Sequence, residues 1–267
     1  MLEVSKLSVS HGGREILSDV SLRFSPGEVT VVARPNGSGK STLIKALSGE
    51  LMPASGAITL DGTPLGSLPP SILASRRAVV PQATQLSFPF TAFEVVRLGA
   101  SVPGFGHAGA GHAVMDALGV MRMAGLADRP YTRLSGGERQ RVHVARALCQ
   151  LDAAPVKISA SMVLLLDEPT SGLDFPHQTL LLDQARREAE KGPIVVAVLH
   201  DLNLAAGWAD RIALIGQGRV AAFGRPSEVI DNDLLSDLFA HPVRVNVPPR
   251  DGSPYVLPHR DWQGERV

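Results

Sequence analysis

The chain has 267 residues, 44% of them apolar and 19% charged, a balance that supplies a hydrophobic core and excludes a disordered or low-complexity protein. Lys plus Arg number 26, as do Asp plus Glu, so no excess of positive charge points to a nucleic-acid-binding surface. The single cysteine, Cys149, excludes an internal disulfide and suits a reducing compartment; among Ala147, Leu148 and Leu151 it reads as core packing. No signal-peptide pattern opens the sequence. Apolar stretches such as 194–199 fall far below the roughly 18 residues that a membrane span needs, so any membrane this chain serves is reached from the water side.

In chain order, residues 2–10 alternate loosely as a strand, 11–13 (His-Gly-Gly) read as a turn, and 16–24 alternate again. Together they predict an antiparallel layer. Val29 to Ala33 is apolar throughout and reads as a buried parallel strand. Arg34-Pro35-Asn36-Gly37-Ser38-Gly39-Lys40-Ser41-Thr42 follows, and 43–47 has helical character, ending near Gly49. Strand, glycine-rich loop and helix start are the context of a phosphate-binding loop. Glycines let backbone N–H groups close around phosphate oxygens, and the helix N-terminus adds positive partial charge. Lys40 is placed to reach the β- and γ-phosphates, and the Ser41 hydroxyl to hold Mg²⁺. Thr42 adds a hydroxyl. Arg34 stands where the pattern usually opens with glycine, a position that often needs an unhindered backbone.

Residues 57–60 form a strand ending at Asp61-Gly62, a hairpin turn signal. A short helix over 69–77 precedes a strand at 78–80 and then Pro81-Gln82. From 83 to about 150 the texture turns helical. Thr91-Ala-Phe-Glu94 has the form of a capping box, and 101–111 is a Gly-rich loop expected to be mobile. Helices are predicted over 112–123 and 136–150, with a small-residue connector at 152–161. His107 and His112 in this region read as solvent-exposed. Val163 to Leu166 predicts a central strand, 176–191 a helix, 194–199 a strand and 202–208 a helix. Residues 212–215 and 220–223 predict a hairpin around 216–218, and 231–239 a last helix. The proline-rich stretch from 242 is extended or loosely ordered.

Three stretches carry chemistry. The first is the loop at 34–42. The second is Asp167-Glu168 at the end of an apolar strand. An acidic residue there can hold Mg²⁺, usually through water, and a second can polarise an attacking water; a carboxylate pair can also merely cap a turn. The third is Leu134-Ser135-Gly136-Gly137-Glu138-Arg139-Gln140. Ser135 and Glu138 have capping-box spacing, yet two adjacent glycines serve better to bring backbone N–H groups onto an anion.

In combination and order these motifs resemble the nucleotide-binding subunits of ABC (ATP-binding cassette) transporters, over residues 2–241. In that family Leu134 to Gln140 matches the signature motif, Gln82 the Q-loop, Ser171-Gly-Leu-Asp174 the D-loop, and His200 the switch histidine. The resemblance implies an α/β P-loop NTPase fold: a RecA-like parallel core (1–82 and 160–241), an N-terminal antiparallel β layer, an inserted helical subdomain (83–159) and an extended tail (242–267). It implies ATP and Mg²⁺ as ligands. Glu168 would orient water, while Lys40 and His200 neutralise charge on the γ-phosphate. Ser41, Gln82 and Asp167 would serve the metal. His11 falls where the family usually stacks an aromatic ring on adenine, and an imidazole stacks more weakly. Asp174, in the D-loop, also reads as a helix N-cap before Phe175-Pro176.

The family completes each site from two cassettes paired head to tail, so a homodimer is expected, with Ser135, Gly136 and Gly137 of one copy meeting ATP on the other. Two transmembrane permease subunits and a periplasmic binding protein are the implied partners, at the cytoplasmic face of the inner membrane. Residues 81–99, 127–131 and 152–161 are similar to the haemin importers of the family. Ferric-siderophore and cobalamin importers are close relatives. A soluble non-transport ABC ATPase would bring tandem cassettes, coiled coils or basic patches, none of which is seen. A small-molecule P-loop kinase would have no use for 134–140.

Overall fold

The computed structural model describes residues 1–33, 40–82, 88–101, 110–153 and 160–258; the side chains of His11 and Lys40 also lie outside the described residues. The elements run β1 (Leu2–His11), β2 (Arg14–Phe24), β3 (Val29–Ala33), α1 (Lys40–Leu47), β4 (Ser55–Leu60), β5 (Thr63–Pro64), α2 (Pro70–Arg76) and β6 (Arg77–Val80). Then come the helices α3 (Ala92–Arg97), α4 (Ala110–Val120) and α5 (Gly136–Ala153). The last part alternates: β7 (Val163–Asp167), α6 (Phe175–Glu190), β8 (Ile194–Val198), α7 (Leu202–Trp208), β9 (Arg211–Gly216), β10 (Arg219–Gly224), α8 (Pro226–Val229) and α9 (Asn232–Phe239).

Two sheets organise the molecule. One is antiparallel, in the order β2-β1-β4-β5; the other has the order β10-β9-β3-β8-β7-β6. Within the second sheet every pairing from β9 to β6 is parallel, and only the edge strand β10 is antiparallel. Strands β3, β7 and β8 are buried along their whole length, as an apolar run covered on both faces requires. Their side chains divide with the two-residue period of a strand. Val31, Leu164, Leu166, Val195 and Ala197 enter one core with helices α3 to α7. Val32, Val163, Leu165, Val196 and Val198 enter another with α1 and the antiparallel sheet. This is the architecture that the motifs implied, with the antiparallel sheet and α1 on one face of the parallel core and helices α3 to α7 on the other.

Local chemistry sets the boundaries. Asp61 and Gly62 both take positive φ between β4 and β5, as a tight hairpin turn demands, and Thr91 closes the expected capping box with Glu94 at the start of α3. The helix expected over 112–123 instead runs from Ala110 to Val120. Arg122 turns left-handed there (φ 55), and the Met123 N–H reaches back to the Leu118 carbonyl at 2.7 Å, a Schellman stop with arginine where glycine is usual. Helix α5 passes the expected end at Gln150 and continues to Ala153. The four-residue α8 was not foreseen. The loop expected around 101–111, including His107, falls mostly outside the described residues, whereas His112 is exposed on α4. Cys149 is buried, and that burial pushes its thiol up to about 11, which leaves it protonated and inert.

Helix α5 is bound to the parallel sheet by side chains. Arg146 Nη2 donates to the Val79 carbonyl of β6 at 2.6 Å, and Gln150 Nε2 donates to the Ala74 and Arg77 carbonyls at 2.8 and 2.9 Å. Inside the helical region the Tyr131 hydroxyl and His143 Nε2 share a buried hydrogen bond of 2.8 Å. Burial, with the Arg146 cation nearby, pushes the His143 imidazole down to about 4 from its ordinary 6.5. The unfolded chain therefore takes up a proton at His143 at a higher pH than the folded one. Stability is full above pH 6.5 and falls as the pH drops from 6.5 to 4, by at most about 3 kcal/mol. Denaturant midpoints across that window should show this slope in the native chain and a flatter one in His143→Gln. Equal slopes would place the acid sensitivity elsewhere.

Candidate active site at the ends of the parallel strands

Strand register brings the sequence-predicted groups to one edge. Val32 of β3 lies opposite Val198 of β8, Val198 opposite Asp167 of β7, and Leu166 opposite Val80 of β6. Four adjacent parallel strands thus release their chains on the same side: into the loop before α1, into His200, into Glu168, and into Gln82. That is where ligands bind in open α/β sheets. Positions 34–39 of the phosphate loop lie outside the described residues. The helix that follows starts at Lys40, with Ser41 and Thr42 half-buried in its first turn.

At the centre stands Glu168, 9% exposed, between two accessible side chains. Gln82 Nε2 donates to its Oε2 at 2.7 Å, and His200 Nε2 lies 2.6 Å from its Oε1. A buried carboxylate needs such hydrogen-bond partners. Glu168 also takes a left-handed backbone conformation (φ 50), which costs a non-glycine residue about 1 kcal/mol. Strain of this kind gathers where the fold must aim a side chain. No sequence pattern announced the clamp, since its partners lie 86 and 32 positions from Glu168.

Asp167 is 5% exposed at the end of β7. Together with the Ser41 hydroxyl and the Gln82 side-chain carbonyl it offers a set of hard oxygen donors. Those suit Mg²⁺, which keeps waters and phosphate oxygens in its shell and takes only one or two carboxylates. The donor set fits the metal that the sequence implies.

Ser135, Gly136 and Gly137 are placed elsewhere, at the start of α5. The Glu138 N–H donates to Ser135 Oγ at 3.3 Å, while the Ser135 N–H donates to Glu138 Oε2 at 2.7 Å; that last bond holds the Glu138 carboxyl below its ordinary range. This is the predicted capping box. A Cβ on Gly136 would meet nothing within 4 Å, whereas one on Gly137 would lie 3.0 Å from Leu173 Cδ2. The glycine pair therefore presents open backbone on one side and packs on its own chain's D-loop on the other. Gln178 Nε2 fixes that loop by donating to the Leu173 carbonyl at 3.0 Å.

Asp174 caps α6, its Oδ1 accepting the His177 N–H at 3.2 Å and the His177 imidazole. Slight desolvation opposes the charge, but His177 and the nearby Arg141 hold the Asp174 carboxyl below its usual range. The role of His177 was not read from the sequence; the i, i+3 spacing after an N-cap was the available signal. His11 ends β1 beside Arg14, and its side chain lies outside the described residues.

Comparison with known proteins agrees with this arrangement. The model of the family described as "ABC transporter" matches residues 17–171. The chain is 44% identical over 258 residues to the hemin import ATP-binding protein HmuV of Rhizobium meliloti (strain 1021), covering 97% of this chain and 98% of that one. It is 47% identical over 257 residues to the protein of the same name from Streptomyces coelicolor, covering 95% and 88%. Among solved structures, the ATP-binding subunit of an ABC transporter superposes with a TM-score of 0.77 at 27% identity, covering 89% of this chain and 99% of that one. With these matches and its strand-end cluster, the chain belongs to the ATP-binding proteins of the ABC transporter family.

Proposed function

We propose that this chain is the ATP-hydrolysing subunit of an importer that carries haemin across the inner membrane. The observation that carries the reading is near-full-length identity of 44–47% to proteins named for hemin import in bacteria as distant as Rhizobium and Streptomyces. The substrate does not touch this subunit, so the similarity, and not the site, supports haemin. Among the described residues no helix is long and apolar enough to cross a membrane. The reading therefore includes two separate permease subunits, a periplasmic haemin-binding protein that acts through them, and a peripheral location on the cytoplasmic face. It also divides the chain as its sequence suggested, into an ATP-binding core (1–82 and 160–241), a helical subdomain (83–159) that faces the permease, and a tail.

In this reading ATP lies on the loop at 34–42. Lys40 and His200 offset the charge that develops on the γ-phosphate, and Glu168 orients the attacking water and accepts its proton. Ser41, Asp167 and Gln82 would hold Mg²⁺, which would supply positive charge to screen the phosphate oxygens. Ser135 and Gly137, committed in their own chain to α5 and the D-loop, present N–H groups to ATP on a second copy. Asp174 lies at the same interface, and His11 stacks on the adenine.

The test is ATP hydrolysis by the chain assembled with its permease in vesicles, supplied in turn with haemin, cobalamin and a ferric siderophore on their binding proteins. Stimulation by haemin alone is the expected result. Stimulation by another ligand would keep the ATPase role and replace the substrate. No hydrolysis under any condition would direct attention to Arg34, where restoring glycine is the next variant.

A further inference from the structure

Asp174 is held more firmly than its place before α6 requires. A helix N-cap needs one side-chain oxygen on one backbone N–H, and Asp174 Oδ1 accepts the His177 N–H at 3.2 Å. The same oxygen also receives His177 Nδ1, a bond that is surplus to the cap. We infer that His177 is a positioning residue of the ATPase: it fixes the Asp174 carboxylate so that the second oxygen, Oδ2, is presented to a paired copy of the chain. This role rests on the proposed pairing of two copies and deepens it.

A carboxylate accepts hydrogen bonds and donates none, so the imidazole nitrogen that faces it carries the proton. Rotation of an aspartate carboxylate about its last bond is otherwise loosely set, and two donors from one residue on one oxygen set it. The His177 side chain is 32% exposed and that of Asp174 64%, so the more sheltered group braces the more exposed one. The backbone beneath is secured separately. The Leu173 N–H donates to the Thr170 carbonyl at 3.2 Å, Gln178 Nε2 to the Leu173 carbonyl at 3.0 Å, and the Gln178 N–H to the Asp174 carbonyl at 2.9 Å. Arg141, the other cation near this carboxylate, directs Nη1 to the Met121 carbonyl at 3.2 Å. With the loop fixed, the turn of the Asp174 side chain is what remains to be set.

The neighbours mark the surface on which Asp174 stands. Leu173, just before it, packs where a Cβ on Gly137 would lie 3.0 Å away. Phe175, just after it, is an aromatic residue left 52% exposed. Beside the glycine pair, one turn therefore offers an apolar and a charged contact, the mixture that a protein interface covers.

The brace is read first by spectroscopy. In the nucleotide-free, isotope-labelled chain, the ring nitrogens of His177 should show the proton on Nδ1, and Asp174→Ser should remove that preference. A neutral ring protonated on Nε2 in the native chain overturns the inference. The kinetic arm uses the chain assembled with its permease. His177→Leu keeps bulk and removes the donor, and should lower kcat by about one order of magnitude with KM for ATP unchanged. His177→Asn, whose side-chain N–H stands where Nδ1 stood, should restore most of the rate. Asp174→Ser keeps a helix cap and removes Oδ2; it should lose as much as His177→Leu, and the two combined should lose no more. His177→Leu at the native rate, His177→Asn as slow as His177→Leu, or losses that multiply in the double variant each overturn the inference. Asp174→Ser at the native rate would take away the reading beneath, that Asp174 serves the paired copy, and the inference with it.

Discussion

Glu168→Gln is expected to lower ATP turnover by about two to three orders of magnitude while leaving ATP binding intact. Glutamine is nearly isosteric with glutamate, so the left-handed backbone at position 168 can persist, although its amide offers Gln82 and His200 one acceptor oxygen in place of two. What disappears is the group that takes a proton from the attacking water in the proposed mechanism. With hydrolysis blocked and ATP retained, two copies should stay closed around the nucleotide. A shift to dimer size on gel filtration in ATP, absent in ADP, reads that state. Turnover close to the native rate would remove Glu168 from the role, and with it the reading of the strand-end cluster as a hydrolytic site.

The second large effect is on stability. Gly99, just past α3, lets that helix press against the backbone of α5. A Cβ built there would lie 2.2 Å from the Arg146 carbonyl oxygen and 3.1 Å from that of Val96. No rotamer relieves a clash between two backbones, so Gly99→Ala must push α3 and α5 apart. Overpacking of this kind costs roughly 3 kcal/mol, which for a chain of this size lowers the melting temperature by roughly 5 °C. The same displacement disturbs Arg146, whose guanidinium reaches the Val79 carbonyl. A melting temperature within about 2 °C of the native value, under the same scaling, would show that the helices have room to part.

Much of the fold was legible because its signals are local. The apolar runs at 29–33, 163–166 and 194–199 are buried strands because an apolar segment with no polar face must be covered on both sides. Asp61-Gly62 turned where its backbone freedom allowed, and Thr91 capped the helix that its side chain can reach. The misjudged ends have separate causes. Helix α4 stops at an arginine in a conformation usually left to glycine, and α5 outlasts Gln150 with Leu151 and Ala153 buried in the core.

The division holds for the site. By itself the sequence singled out the candidate residues, since the phosphate loop, Asp167-Glu168, Ser135 to Gly137 and His200 are each recognisable from a few neighbouring letters and from their order along the chain. It also determined the family, because that order is specific to it. Only the tertiary structure decided which of those residues meet. Parallel pairing of β3, β8, β7 and β6 brings Gln82 and His200 onto the two oxygens of Glu168, and the crossing of α5 over β6 joins the helix that follows Ser135 to the Val79 carbonyl. Motif chemistry is short-range and survives in a linear string, whereas contacts between residues tens of positions apart depend on strand order and register, which the burial of two cores sets together.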